Sequence, residues 1–401
     1  MPDPADWKPA TLALHAGDGS REPGAPLGNP LVPATSFYAD PDGIGFSAAD
    51  LKADSPHFYG RWSNPTAHVL ETRLAALEGG EACLTFASGM AAVSGLFLSK
   101  LKSGDHLVLS NICYAGVAEL AHDILPTLSI AVTTVDESDA AAIAAAMRPE
   151  TRLVHIETPA NPLLRLADIA AVAEIAHAHG AELSVDSTMA TPVATRPLAL
   201  GADYVVHSLT KYVCGHGDAL GGAVIGTAAA IGSLRTSAGI HFGASLNPFA
   251  AWLMLRGLET LPARMALHEA NARAVVGFLE HHPRVGRVIW PGSPSHPEHA
   301  IARRQMANFS GMISFTAQAG KALATAFGAR LKLVAYAVSL GKTRSLIFYI
   351  PTEDLLRTSF HLEGAEAEKY RALSGEGLFR LSVGLEDASD IIADLDAALV
   401  P

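Results

Sequence analysis

Lys211 stands in the run His207-Ser208-Leu209-Thr210-Lys211-Tyr212, directly after the apolar stretch Tyr204 to Val206. A lysine and two hydroxyls at the end of such a stretch can hold a phosphate, and the lysine can instead form a Schiff base with an aldehyde. Asp186 ends a similar stretch, Leu183-Ser184-Val185, and Asn161 follows a third, Leu153 to Ile156. Asn161 and Asp186 are 25 residues apart, as are Asp186 and Lys211. That interval suits one strand-helix-strand unit, so three adjacent parallel strands would each deliver one polar group to a common point. Ser88-Gly89-Met90 precedes a helical run, Ala91 to Leu101, whose first N–H groups would receive an anion. The same triplet recurs at Ser310-Gly311-Met312, where it opens a strand-like run, so it marks a phosphate site only in company with the other groups. Asp186-Ser187-Thr188 also has the composition of a helix start, which leaves a capping role open for its carboxylate.

The elements that must position these groups are short β-branched runs alternating with Ala/Leu-rich helical stretches. His106 to Leu109, Ile130 to Val135, Leu153 to Ile156, Leu183 to Val185 and Tyr204 to His207 read as strands. Leu166 to His179 reads as a helix, with Gly180 at its C-terminal cap position. This alternation predicts an α/β fold with a mostly parallel sheet and ligands at the carboxyl ends of the strands. Residues 1–65 are rich in Pro, Gly, Ser and Asp without a sustained period and predict an extended arm lying over another surface. Residues 66–262 form the predicted large domain. Residues 263–401 predict an α+β domain: an amphipathic stretch from Ala266 to Glu280, a loop rich in Pro and His to about His299, then strand-like runs at Met312 to Thr316, Leu333 to Ala337, Leu346 to Ile350 and Leu378 to Val383.

With 401 residues, 49% hydrophobic and 17% charged, the chain can bury a large core. A net charge of −11 argues against nucleic acid or an anionic membrane as partner, which leaves a small molecule. Cys83, Cys113 and Cys214 are far apart and form no C-x-x-C pair, so neither a disulfide framework nor a zinc knuckle is expected, and a reducing cytoplasm is the expected compartment. His177 and His179 face different sides of one helix, and His281-His282, His296 and His299 fall in a polar loop, so no metal site is expected.

Pyridoxal phosphate requires a lysine for its aldehyde, a carboxylate for its ring nitrogen, a donor for its phenolic oxygen, an aromatic ring to stack on and a phosphate cup. Lys211, Asp186, Asn161, Tyr114 and the Ser88, Ser208 and Thr210 hydroxyls supply that set. Around them the sequence resembles the Cys/Met-metabolism pyridoxal-phosphate enzymes, which include cystathionine γ-synthase, cystathionine and methionine γ-lyases and O-acylhomoserine sulfhydrylases. The resemblance covers nearly the whole chain. It runs through Tyr59-Gly60-Arg61-Trp62-Ser63-Asn64-Pro65-Thr66, the Asp186, Thr188, Ser208, Thr210 and Lys211 signature with Gly215-His216 and Gly221-Gly222, the segment Asn247 to Leu261, and Ser339-Leu340-Gly341 with Arg380-Leu381-Ser382-Val383-Gly384.

The resemblance implies the aspartate-aminotransferase type of fold (PLP fold type I) and a homotetramer built from two tight dimers. It implies that Tyr59 and Arg61 reach the neighbouring subunit's phosphate, and that Gly89 and Met90 line the cofactor with Ser88. Lys211, Tyr114 and Tyr59 become the catalytic groups, and Arg380, with Ser339 and Asn161, holds the α-carboxylate of an amino-acid substrate. The implied reaction is γ-elimination or γ-replacement on a homoserine-like amino acid, either sulfur or oxygen substituted. A sulfhydrylase or a γ-lyase for a non-sulfur substrate such as canavanine is the alternative within the family, and a transaminase is the alternative within the fold. Some positions depart from the family pattern. Gly116 stands where methionine γ-lyases have cysteine, Ser187 where many members have Asn, and His241 where methionine γ-lyases carry an acidic residue. Lys342-Thr343-Arg344-Ser345 replaces the usual Gly-x-Glu-Ser and reverses a charge near the substrate mouth.

Overall fold

Strands buried on both faces read as unbroken apolar runs, and such runs lie side by side at the centre of the structure, a computed structural model that describes residues 7–20, 22–39, 47–48 and 55–400. The larger sheet consists of β1 (Ala82–Phe86), β2 (His106–Ser110), β3 (Ala131–Val135), β4 (Thr151–Glu157), β5 (Glu182–Asp186), β6 (Tyr204–His207) and β7 (Gly222–Gly226), in the spatial order β1-β7-β6-β5-β4-β2-β3. Strands β3, β2, β4, β5 and β6 pair in parallel, and β7 is antiparallel to both of its neighbours. The fold is therefore α/β with a mostly parallel sheet, as the alternation predicts. Strands β1 and β7 are additions to the predicted set; β7 is a five-residue run that begins and ends on glycine, too short and too small to carry a strand pattern.

A second sheet follows, built from β8 (Val285–Ile289), β9 (Met312–Ala317), β10 (Ala335–Tyr336), β11 (Leu346–Pro351) and β12 (Gly377–Ser382), ordered β10-β11-β12-β9-β8. Strand β8 corrects the expectation of a loop from Pro283 to His299: Gly286 and Arg287 break its apolar run, and pairing with β9 makes it a strand. The arm needs a correction as well. Pro9–His15 is helical and buries Leu12 and Ala13, a segment of seven residues that is too short for a helical period to show. Of the polar-loop histidines, His296 is buried instead, with Nε2 bonded to the Leu164 carbonyl at 3.0 Å.

One helix spans both cores. In Leu261–Leu279, the early residues Leu261 and Met265 join the core of the larger sheet, while Ala272, Val275, Val276 and Leu279 join that of the smaller one. From its first turn, buried Arg264 reaches back to the chain just after Lys211, donating from Nη1 to the Tyr212 carbonyl at 2.7 Å and from Nη2 to the Val213 and Gly257 carbonyls at 3.3 and 2.7 Å. It thus closes the turn that carries the lysine. Replacing it with an apolar residue takes the donor from the buried Tyr212 and Val213 carbonyls, at about 1–3 kcal/mol for each unsatisfied group, while the Gly257 carbonyl keeps the Thr260 N–H and hydroxyl. Arg264→Leu is expected to lower unfolding stability in urea by roughly 3 kcal/mol or more, and a loss under 1 kcal/mol would show that the turn holds without it.

Candidate active site

In a parallel pair, residues in register lie about 4.8 Å apart, and Glu157 and Asp186 are such partners at the carboxyl ends of β4 and β5. Val206 on β6 is in register with Asp186, and the chain then turns through Ser208 to Lys211. The Asp186 carboxylate accepts the Thr188 N–H at 2.9 Å, and the Thr188 hydroxyl accepts the Ser208 N–H at 2.8 Å, so one chain of bonds ties β5 to the turn that carries the lysine. Lys211 Nζ donates to Ser339 Oγ at 3.3 Å. Arg380, on β12, donates to Asn161 Oδ1 at 2.8 Å and to the Ser339 carbonyl at 3.3 Å. Groups from β4, β5, the turn after β6, β12 and the Ser339 loop therefore meet at one point between the two sheets.

Backbone approach shapes the floor. A Cβ on Gly222 would lie 2.2 Å from the Ser88 carbonyl oxygen, and one on Gly89 would lie 2.8 Å from Ser208 Cβ. Such close contact brings the start of the helix Gly89–Lys100 against the Ser208 turn, with Ser88 Oγ capping that helix by accepting the Ala91 N–H at 3.1 Å. The helix N-terminus and the Ser208 backbone make a cradle of the kind a phosphate occupies, and the buried Asp186 carboxylate is an acceptor for a protonated ring nitrogen. The residues fit pyridoxal phosphate.

Burial dominates the electrostatics. Lys211 has its pKa lowered first by desolvation and then by the positive charges of Arg380 and Lys342, with Asp186 opposing them. Glu157 is pushed up to about 8, first by burial and then by the charge of Asp186, against the pull of the Asn161 and Tyr114 N–H groups and Arg380. Burial raises Asp186 as well, but the Thr188 bonds, His207 and Lys211 oppose that shift. Two buried carboxyls this close cannot both be charged at little cost; Asp186 has the Thr188 hydrogen bonds as well as nearby Lys211 to favour its ionised form, and Glu157 is the one raised to about 8, so Glu157 takes the proton.

Lys211, Asp186, Asn161, Ser208, Ser88, Gly89, Arg380 and Ser339 are thus brought together. Tyr114 caps the short helix Ala115–Glu119, is half-exposed, and donates its N–H to Glu157 Oε2 at 2.5 Å. A Cβ on Gly116 would meet its ring at 2.9 Å and the Met90 sulfur at 3.3 Å, so Met90 and Tyr114 flank one small residue. The Thr210 hydroxyl is bonded to Gly221, accepting the N–H at 3.1 Å and donating to the carbonyl at 3.3 Å. Tyr59 and Arg61 contact each other. The Arg61 guanidinium lies over the Tyr59 ring at 5.4 Å and donates to the Ile240 carbonyl at 2.7 Å, beside exposed His241. Ser187 is buried and turns its N–H to the Val206 carbonyl.

Sequence reasoning passed over Glu157, although it ends the run Leu153 to Ile156 just as Asp186 ends Leu183 to Val185. It also passed over Arg264, which carries no local signal because its carbonyl partners lie up to 52 residues away in sequence, and it met Lys342 only as part of the segment that departs from the family pattern.

The family described as Cys/Met metabolism PLP-dependent enzyme matches residues 10–400. The chain belongs to this family. Pyridoxal phosphate is therefore its cofactor, and the chain is an enzyme. It is similar to the canavanine γ-lyase of Pseudomonas canavaninivorans, 41% identical over 97% of this chain and 96% of that one. It is also similar to the L-methionine γ-lyase of Pseudomonas putida, 40% identical over 97% and 96%. The solved structure of metB from Corynebacterium glutamicum superposes with a TM-score of 0.87 at 35% identity, covering 99% of each chain. These relatives place the reaction among γ-eliminations and γ-replacements of amino acids.

The shared proton has a thermodynamic signature. The folded-state pKa of Glu157, raised to about 8 from an ordinary 4.5, means that the unfolded chain releases a proton the folded chain keeps. Stability from this group is then present below the unfolded value and is lost as pH rises through that window. Glu157→Gln is neutral throughout, so its melting temperature relative to the parent should rise between pH 5 and pH 8. A difference that stays constant with pH would show that Glu157 is charged in the folded protein.

Proposed function

We propose that the chain cleaves or replaces the γ-substituent of a homoserine-like amino acid, with Lys211 as the proton-transfer group. The observation that carries this reading is the Lys211 Nζ bond to Ser339 Oγ beside the Arg380 and Asn161 pair, because it sets a base next to a carboxylate-binding arginine. Arg380 binds the substrate's α-carboxylate, and its bond to Asn161 fixes the plane of the guanidinium for a two-point contact. When bound, pyridoxal phosphate supplies an electron sink for the substrate's α- and β-carbons.

The remaining roles belong to the protein. Lys211 Nζ, its pKa lowered, accepts the α-proton and moves protons between neighbouring carbons. Asp186 stays ionised and keeps the ring nitrogen protonated, and Glu157 holds the proton that would otherwise compete for that charge. Tyr114 stacks on the ring and delivers a proton to the departing γ-group. Ser88, Gly89, Met90 and Ser208 form the phosphate cup, and Thr210 holds the turn beneath it through its two bonds to Gly221. The cup is completed by Tyr59 and Arg61 from a second copy of the chain, a reading supported by the contacts of that pair within its own chain, which are with each other and with the Ile240 carbonyl. Two such dimers form the tetramer. Water or a thiol then decides between lyase and synthase outcomes.

Lys211→Ala should lose both the visible absorbance of the bound cofactor and release of 2-oxobutanoate, by roughly 1,000-fold or more for the latter; a coloured, active variant would refute the assignment. Ammonia and 2-oxobutanoate appearing together distinguish this chemistry from transamination. Arg61→Ala should lower cofactor retention on dialysis while the dimer persists by sedimentation, and undiminished retention in a confirmed dimer would remove the arm from the site.

A further inference from the structure

Lys342 lowers the pKa of Lys211, but the reaction described so far gives its ammonium no group to bind. It lies three residues beyond Ser339, and Thr343 next to it donates its N–H to the Gly215 carbonyl at 2.9 Å, so this segment is fixed against the turn that follows Lys211. The side chain runs over Gly217, where an added Cβ would lie 2.5 Å from Lys342 Cε and 2.9 Å from its Nζ. Gly217 has φ +74°, a conformation that favours glycine, so the track for the lysine side chain is built into the backbone. The ammonium comes near enough to Lys211 for its charge to lower the pKa of that amine.

No carboxylate neutralises it. Among the described residues, the lysines held in ion pairs are Lys100 and Lys369. Glu386, packed on the same segment, accepts the Ser345 N–H at 2.7 Å and the Ser345 hydroxyl at 2.9 Å, and Asp218 accepts from Cys214 Sγ at 3.1 Å. Arg344, two residues further on, adds an exposed positive charge. Lys342 is half-buried, and a half-buried ammonium gains most from a fixed anion. Arg380 already serves the substrate's α-carboxylate in the reading above, on which this step rests, so the anion that Lys342 can meet belongs to the other end of the substrate.

We infer that Lys342 reads a negative charge at the far end of the γ-substituent, and that the substrate class is homoserine-type amino acids whose γ-oxygen or γ-sulfur group ends in a carboxylate. A neutral γ-group makes no such contact, and a cationic one meets like charge.

The test uses the purified holoenzyme with O-succinyl-L-homoserine, O-acetyl-L-homoserine and L-canavanine, reading 2-oxobutanoate release for the parent, Lys342→Gln and Lys342→Glu. The parent should favour the succinyl over the acetyl ester by about tenfold or more in kcat/KM, chiefly through KM. In Lys342→Gln that ratio should fall towards one, and in Lys342→Glu it should invert, with canavanine gaining on both esters. Taking the ratio of the two esters cancels whatever the lost charge does to Lys211. A parent that favours the acetyl ester or canavanine, or variants that slow all three substrates equally, overturns the inference while leaving γ-cleavage standing. A parent that consumes none of them, with or without an added thiol, overturns both.

Discussion

The site is organised by two carboxyl groups, on Glu157 and Asp186, buried side by side at the ends of adjacent parallel strands. Parallel pairing puts them in register, and burial makes a double negative charge there costly. The conflict is resolved by giving the proton to Glu157, while the Thr188 hydrogen bonds and the pull of Lys211 favour the ionised form of Asp186. From that asymmetry follow a fixed anion that would hold the cofactor's protonated ring nitrogen and a neutral group that accepts the backbone N–H bonds of Tyr114 and Asn161. A single interaction therefore ties the aromatic residue, the amide and the charge-bearing acid to one another.

Lys211 answers to the opposite constraint. Its surroundings are net positive, with Arg380 and Lys342 on one side and only Asp186 opposing them, and burial acts in the same direction. An amine in such a place gives up its proton more readily than one in water. The positive groups that achieve this also bind carboxylates, so the field that activates the lysine is the field that attracts an amino-acid substrate. The lysine's backbone is held by Arg264, whose three carbonyl contacts leave the turn little freedom.

The smaller sheet contributes more than cover. Arg380 on β12 meets Asn161 from the loop after β4, and Ser339 meets Lys211. Each contact joins residues more than 120 apart in the chain, and the helix Leu261–Leu279, buried in both cores, carries the geometry between them. The site therefore forms only when both sheets are in place.

Much of this was legible from residue order. The apolar runs before Asn161, Asp186 and Lys211 are local, and their even spacing reflects the length of a strand-helix-strand unit, so the sequence alone determined the parallel sheet and the three polar groups at its edge. Motif resemblance added the family and the cofactor. Short or interrupted elements escaped, such as β7 between its glycines, β8 broken by Gly286 and Arg287, and the seven-residue helix Pro9–His15, because a period needs more residues than they have. Tertiary structure decided which polar groups face one another: Glu157 against Asp186, Arg264 on the lysine turn, Thr210 on Gly221, and Lys342 along Gly217. Those pairings depend on register and close backbone approach across distant segments, and burial then fixes the protonation of each group. No local pattern encodes either one.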